Sequence, residues 1–292
     1  MAGMLPSGAI DSHVHCAPDA IPRAEHCWDL VRSAGDAGMR ALVLKDHCTS
    51  TAGLCDLLNR LQDRVTCLGS LTLNAPVGGW NPLAVDAALA AGARVIWAPT
   101  YCAAHHLRIL GPRRAPAGLP HPDDGFPGYA LHDASGGIRP EIIRICRSIA
   151  AADAVLATGH LAPAETLALI QEARTQGVRR LVVTHASETV PGLSVEDQRR
   201  AAALGAWIEH SFLPLTPCGG ASLDARSLLA QIRAVGLDRI LLSSDFGQVA
   251  NGPVVAGFAV QIEAMRLAGL DRDEVEALVV DHPTRLLFGD PR

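Results

Sequence analysis

Lysine is almost absent from this sequence: of its 25 lysines and arginines, only Lys45 is a lysine. Heavy use of arginine and alanine fits a GC-rich coding bias that pushes lysine out. A single survivor next to a histidine therefore invites a chemical explanation. Aromatic side chains are scarce, at 4%. That argues against a large stacking platform for bases or sugars, although Trp80, Trp97 and Tyr101 remain to line one wall. There is no block of basic residues and the net charge is −5, so the electrostatic footprint of nucleic-acid binding is missing. No apolar run reaches about 18 residues, so no membrane-spanning helix is expected. Met1–Gly8 has neither a charged n-region nor an apolar h-region, and no signal peptide is expected. The eight cysteines (16, 27, 48, 55, 67, 102, 146 and 218) are scattered without a CxxC pair. This predicts a reduced, cytoplasmic chain rather than a disulfide framework, with Cys16 a small buried apolar residue.

What is present is apolar and periodic. The 292 residues are 49% hydrophobic and 19% charged, enough to bury a large core. From residue 9 onward, short aliphatic runs alternate with Ala/Leu-rich helical segments, the pattern of βα units on a parallel sheet. Strands are expected at 9–15, 40–47, 65–74, 94–100, 154–160, 180–186, 206–212 and 239–246. Helices fill the gaps, one of them capped by Asn81 with Pro82 behind it, and two more close the chain after Asp271. The rhythm breaks once, over about 101–138, a stretch rich in Pro and Gly whose second part, from Tyr129 to Ile138, reads as a β-hairpin. No linker or second core separates the units. The expected architecture is α/β, a single (β/α)8 TIM barrel over 1–292 with a long insertion after strand four that caps the mouth.

In such barrels the chemistry sits at the C-terminal ends of the strands. Strand one ends His13-Val14-His15, and two histidines one residue apart on a strand project to the same face. Neutral imidazoles on one face suit zinc and other first-row metals. Strand two ends Lys45-Asp46-His47, strand three in Asn74, strand four in Thr100, strand five in His160. Strand six ends in His185, strand seven Glu209-His210, strand eight Ser243-Ser244-Asp245. One such histidine is commonly a packed core residue. Four histidines and an aspartate at the ends of strands one, five, six and eight are hard to explain as packing.

This constellation resembles the amidohydrolase superfamily of metal-dependent hydrolases, and more loosely its TatD-like and phosphotriesterase-like members. The tail Asp281-His282-Pro283-Thr284-Arg285-Leu286-Leu287 resembles an "N-P-A-R-L-L" ending common there. Leu42–His47, Ala157–Leu161 and Val183–Ala186 are similar to a bacterial branch without assigned substrates. The resemblance implies that His13, His15 and Asp245 bind a first metal ion. It implies that His160 and His185 bind a second, or that in a one-metal variant one ligates and the other acts in catalysis. Asp245 would also accept a proton from the metal-bound water. Zinc lowers the pKa of bound water to roughly 7, and a second ion about 3.5–4 Å away would polarise the scissile carbonyl.

The pattern departs from the family at strand four. Two-metal members place a glutamate or a carbamylated lysine there, and Val95–Thr100 has neither. Lys45 on strand two is the nearest substitute. It is open whether it is carbamylated and bridges two metals, stays cationic to hold an anionic substrate or developing oxyanion, or pairs with Asp46 or a carboxylate of the barrel floor. His47, Asn74, His105 and His106 are candidate substrate-binding residues. His105, His106, Arg108, Arg113 and Arg114 belong either to a substrate lid or to a solvated loop, and the same insertion carries His121. Of Glu209 and His210, being adjacent, at most one is expected to face the interior. The expected function is a metal-dependent hydrolase cleaving a C–N or C–O acyl bond of a small amide, lactam, lactone or ester, using one or two zinc ions, with Mn2+ or Fe2+ as substitutes. Catalysis would fall to Asp245, Lys45 and His185. The alternatives are a one-metal decarboxylase or lyase and, further off, a non-catalytic metal-binding barrel. The expected partner is a small-molecule substrate, with neither nucleic acid nor membrane, and homo-oligomerisation is left open.

Overall fold

The computed structural model describes residues 5–111 and 125–289. Arg113, Arg114 and His121 lie outside the described residues. Eight parallel strands run in sequential order around the barrel: β1 (Ile10–Val14), β2 (Ala41–Leu44), β3 (Thr66–Thr72), β4 (Ala93–Trp97), β5 (Val155–Ala157), β6 (Arg180–Val183), β7 (Trp207–Ser211) and β8 (Ile240–Ser243). The ring closes where the His15 amide donates to the Phe246 carbonyl (2.8 Å) and the Asp245 amide to the His13 carbonyl (2.9 Å).

Helices α1 (Cys27–Asp36), α2 (Ala52–Leu61) and α3 (Pro82–Ala90) follow the first three strands. Then come α4 (Ala104–Leu110), α5 (Pro140–Ala151), α6 (Pro163–Thr175), α7 (Val195–Ala203), α8 (Ala225–Val235) and α9 (Val254–Ala268). Asn81 caps α3 through its side chain, as expected, accepting from the amides of Leu83 and Ala84. The C-terminal α10 (Arg272–Glu276) and α11 (His282–Phe288) complete the chain.

The core has two layers because strand side chains alternate. Ala41 and Val43 join Val155, Ala157 and Val182 inside the barrel, while Leu42 and Leu44 pack outward under the helices. Leu286 and Leu287 of α11 plug the barrel floor within the inner cluster. Burying each contributes about 1.5–3 kcal/mol. This assigns the DHPTRLL tail a packing role. Arg180 and Arg94 tie it in place by donating to the carbonyls of Arg285, Leu286 and Leu287.

Two expectations about the insertion need correction. Its second part is no β-hairpin: a single antiparallel bridge, His132 with Ile138, brackets a tight turn. Asp133 closes that turn with its own carboxylate, accepting from the Ser135 and Gly137 amides, so the chain has no need of a strand ladder there. In the first part, the stretch carrying His105 and His106 is helical, forming α4.

Candidate metal centre

Strict alternation would send His13 and His15 to the wrong side. Ile10 points into the barrel, and residues of odd number would then face the helices. The β1–β2 register shifts between Asp11 and Val14, and this bulge re-aims the chain. After it Val14 packs outward and both histidines turn to the mouth. Asp11 braces the kink: its Oδ1 accepts from the His13 amide at 3.3 Å and from the Ser244 amide at 3.0 Å. Burial pushes the Asp11 carboxyl up to about 6.

The two imidazoles meet Asp245 from across the seam of the barrel. Asp245 Oδ1 lies 3.1 Å from His13 Nε2 and 3.2 Å from His15 Nε2. Asp245 reaches this position through a left-handed backbone, φ 52°, and His185 does the same at φ 27°. For a non-glycine residue such backbone costs on the order of 1–3 kcal/mol. Both residues lie at strand ends, and both carry side chains into the cluster.

Glu209 is the residue that ties the strands together. It faces inward while its neighbour His210 turns outward to Ser187. Its Oε1 accepts from His13 Nδ1 at 3.0 Å and from the Ser243 hydroxyl at 2.6 Å. Its Oε2 accepts from the His185 amide at 2.9 Å. Glu188, in the turn after β6, stands 3.8 Å from His185 Nδ1 and accepts from the Ser211 hydroxyl. Sequence reasoning missed it, for it lies beyond the strand end. Its only signal is its position three residues after His185. His185 Nε2 lies 3.1 Å from His160 Nε2, and His160 Nδ1 lies 2.7 Å from His106 Nδ1. Lys45 places its ammonium over the Trp97 ring, 5.1 Å from the centroid.

The remaining candidates are less central. His47 stacks on His15 at 4.7 Å between ring centroids. Asn74 is saturated: it accepts from the Thr100 and Cys102 amides and donates to the Thr100 hydroxyl and the His47 carbonyl. It therefore positions the β4 end and His47. His105 accepts from Arg108 at 2.7 Å, whereas His106 joins the histidine file through His160.

Burial and charge set the protonation of these groups. Burial raises the Asp245 carboxyl, but the charges and hydrogen bonds of His13 and His15 more than reverse this and hold it well below the usual carboxylate range. Burial lowers Lys45 to about 8 against the pull of Asp245 and Glu209. Burial and then the Asp245 charge raise Glu188 to about 8. Burial lowers His185 to about 4 and holds His15, His47 and His160 well below their ordinary range, in the neutral form. His13 is the exception. Burial lowers it, but Asp245 and Glu209 carry it up to about 9. The carboxylates thus draw positive charge to the point where His13, His15 and Asp245 meet.

The donor set fits a divalent cation. His13, His15 and Asp245 each bring a ligand atom within 4.8 Å of the others, and His185, Glu188 and Asp245 form a second such group. The Glu209 carboxylate holds the proton of His13 on Nδ1. Nε2, buried and 3.1 Å from Asp245 Oδ1, carries the second proton of the imidazolium, and a divalent cation seated there would take that proton's place. A carboxylate behind a histidine in this way is the usual support for a metal-binding imidazole. His185 Nδ1 is buried without a hydrogen bond. At His15 the neighbour differs: Arg23 Nη2, which can only donate, lies 3.1 Å from Nδ1. Ligation through His15 Nε2 places a proton on Nδ1, so that contact must loosen.

The protein is thus an eight-stranded barrel with a His/Asp cluster at its C-terminal mouth, and known proteins share this arrangement of strands. The chain belongs to the Family of unknown function (DUF6282), whose model matches residues 8–209. No curated protein matches the chain. Solved structures share its fold at low identity. An amidohydrolase from Pseudomonas aeruginosa is 12% identical, with TM-score 0.66, the match covering 96% of this chain and 95% of that one. A mutant organophosphorus hydrolase from Deinococcus radiodurans is 14% identical, with TM-score 0.59 and coverage of 98% and 94%. A 2,6-dihydroxybenzoate decarboxylase from Rhizobium is 11% identical, with TM-score 0.54 and coverage of 97% and 99%. No helix among the described residues is long and apolar enough to cross a membrane.

Proposed function

We propose that this chain is a metal-dependent hydrolase that cleaves a C–N or C–O acyl bond of a small amide, lactam, lactone or ester. The observation that carries the reading is the meeting of His13 Nε2, His15 Nε2 and Asp245 Oδ1 at the mouth, with Glu209 holding the His13 tautomer. Zinc suits these ligands, and Mn2+ or Fe2+ suits them nearly as well. A divalent ion so held supplies Lewis acidity, activating water at neutral pH and polarising a carbonyl.

The chain's own residues supply the rest. Asp245, kept ionised by His13 and His15, takes a proton from the attacking water and returns it to the leaving group. Lys45, buried and cationic, faces the oxygen on which negative charge develops. His185 orients the water or, with Glu188 and Asp245, holds a second ion. Charge balance favours one ion with Lys45 as an ammonium. A divalent ion beside Glu188 would draw off the proton that burial and Asp245 hold on it, and Asp245, Glu209 and Glu188 would then bring three negative charges, which one divalent ion and Lys45 neutralise. A carbamylated Lys45 would add a fourth negative charge and call for two ions. Eight cysteines without a disulfide fit the reducing cytoplasm.

The test is turnover by the metal-loaded chain on a panel of lactones, aryl esters, amides and lactams. Asp245→Asn is expected to lower kcat/KM by about 10²–10⁴-fold on any substrate found. Turnover that survives both this substitution and a chelator would overturn the reading. Aryl carboxylic acids in the same panel, scored for CO2, test the lyase alternative.

A further inference from the structure

We propose that Arg23, with the Tyr101 hydroxyl and His47 beside it, forms a subsite for a carboxylate, so that the substrates are small carboxylic acids that also carry the scissile acyl bond. This rests on reading the barrel mouth as an active site.

Arg23 belongs to the loop between β1 and α1. That loop is pinned to the segment after β8: Arg23 bridges to Gln248, and the Ala24 amide donates to the Gly247 carbonyl at 2.9 Å. The guanidinium is therefore fixed beside His15. It is only 2% exposed, and it donates from Nε and Nη2 to one oxygen of Asp19, at 2.7 and 2.6 Å. The Asp19 side chain is fully buried. A buried ion pair of this kind generally stabilises a fold no better than apolar side chains of the same volume, so packing alone does not account for it. Asp19 occupies one edge of the guanidinium. On the other edge Nη2 reaches His15 Nδ1 at 3.1 Å, and Nη1 has no partner among the described residues. Nη1 is thus free to donate, and the Nη2 hydrogen that His15 would release on ligation through Nε2 completes a planar fork, the geometry that takes a carboxylate in two parallel bonds.

A second observation stands apart from the arginine. His15, His47 and Tyr101 form a run of ring contacts, 4.7 and then 4.5 Å between centroids. At the end of the run the Tyr101 hydroxyl is buried and makes no hydrogen bond, although Tyr101 is only 4% exposed. A buried phenol usually finds a partner. A substrate carboxylate on the Arg23 side of His47 would provide one. Lys45, with its ammonium over the Trp97 ring, is then left for the reacting oxygen.

Calorimetric titration of the metal-loaded chain with benzoate, benzamide and inorganic phosphate tests the assignment. Benzoate is expected to bind at least tenfold more tightly than benzamide, and more tightly than phosphate. Arg23→Gln should weaken benzoate tenfold or more, and the near-isosteric Tyr101→Phe several-fold, with the metal content of both unchanged. Should Arg23→Gln alone fail to fold, Asp19→Asn/Arg23→Gln removes both charges of the pair together and is expected to show the same loss. Equal binding of benzoate and benzamide, or benzoate binding indifferent to Arg23 and Tyr101, overturns the subsite. Tighter binding of phosphate overturns its assignment to a carboxylate. Benzoate binding of the expected pattern in a chain that takes up no metal would sustain the subsite and sink the hydrolase reading instead.

Discussion

His13 Nδ1 and Glu209 Oε1 lie 3.0 Å apart across the barrel interior, both side chains sealed from solvent. The same carboxylate holds the His185 amide and the Ser243 hydroxyl, so one residue of β7 orients groups of β1, β6 and β8. Glu209→Gln keeps the shape but turns an acceptor into a donor at one of three sites. It is expected to weaken metal affinity about 10–100-fold, as loss of such supporting contacts does. Competition against a chromophoric chelator measures this, and an unchanged affinity would remove Glu209 from the account.

Gly247 allows the seam of the barrel to close. At φ 132° its Cα stands so close to the chain that a Cβ would lie 2.3 Å from the His15 carbonyl oxygen. Gly247→Ala should push His15 away from Asp245. The expected cost is on the order of 3 kcal/mol from strain and overpacking together. Metal uptake should fall alongside the melting temperature. A variant of native stability would mean that the loop yields freely.

His282 predicts an acid-side loss of stability that is independent of the metal centre. It lies under the barrel and donates from Nδ1 to the Ile240 carbonyl at 2.8 Å. Burial lowers its pKa below the ordinary histidine value of 6.5. Protonation therefore favours the unfolded chain. The neutral side chain's contribution is complete above pH 6.5 and shrinks as the pH falls below it. His282→Asn keeps a donor for Ile240 and does not titrate, so the drop in Tm between pH 7.5 and 5 should be smaller in the variant. Equal drops would contradict this.

Lys45→Met removes the ammonium and keeps the bulk of the side chain. With Lys45 cationic, the variant should bind a divalent ion at least as tightly as the native chain and lose turnover. With Lys45 carbamylated, it should lose a bound ion. Metal analysis of the two proteins side by side separates these outcomes.

The barrel was legible because each βα unit announces itself by period, and Asn81 caps its helix as its side chain and Pro82 suggest. The strand-end histidines were legible as a set. Their aim was not. A bulge between Asp11 and Val14 and left-handed backbone at His185 and Asp245 decide which way those side chains point, and neither leaves a periodic trace. Glu188 and Arg23 escaped for a related reason. Both lie in loops, where position comes from tertiary pinning. Asn74 was visible as a polar strand end, but only the structure reveals that its amide is spent on Thr100, Cys102 and His47.

The most direct test is the metal content of the full chain after loading with zinc, manganese or ferrous iron and exhaustive dialysis, compared with His13→Ala/His15→Ala. At least one divalent ion per native chain is expected, with loss of that ion from the double variant and the barrel's circular dichroism retained. A folded native chain that holds no ion, or a double variant that holds as much as the native chain, would contradict this.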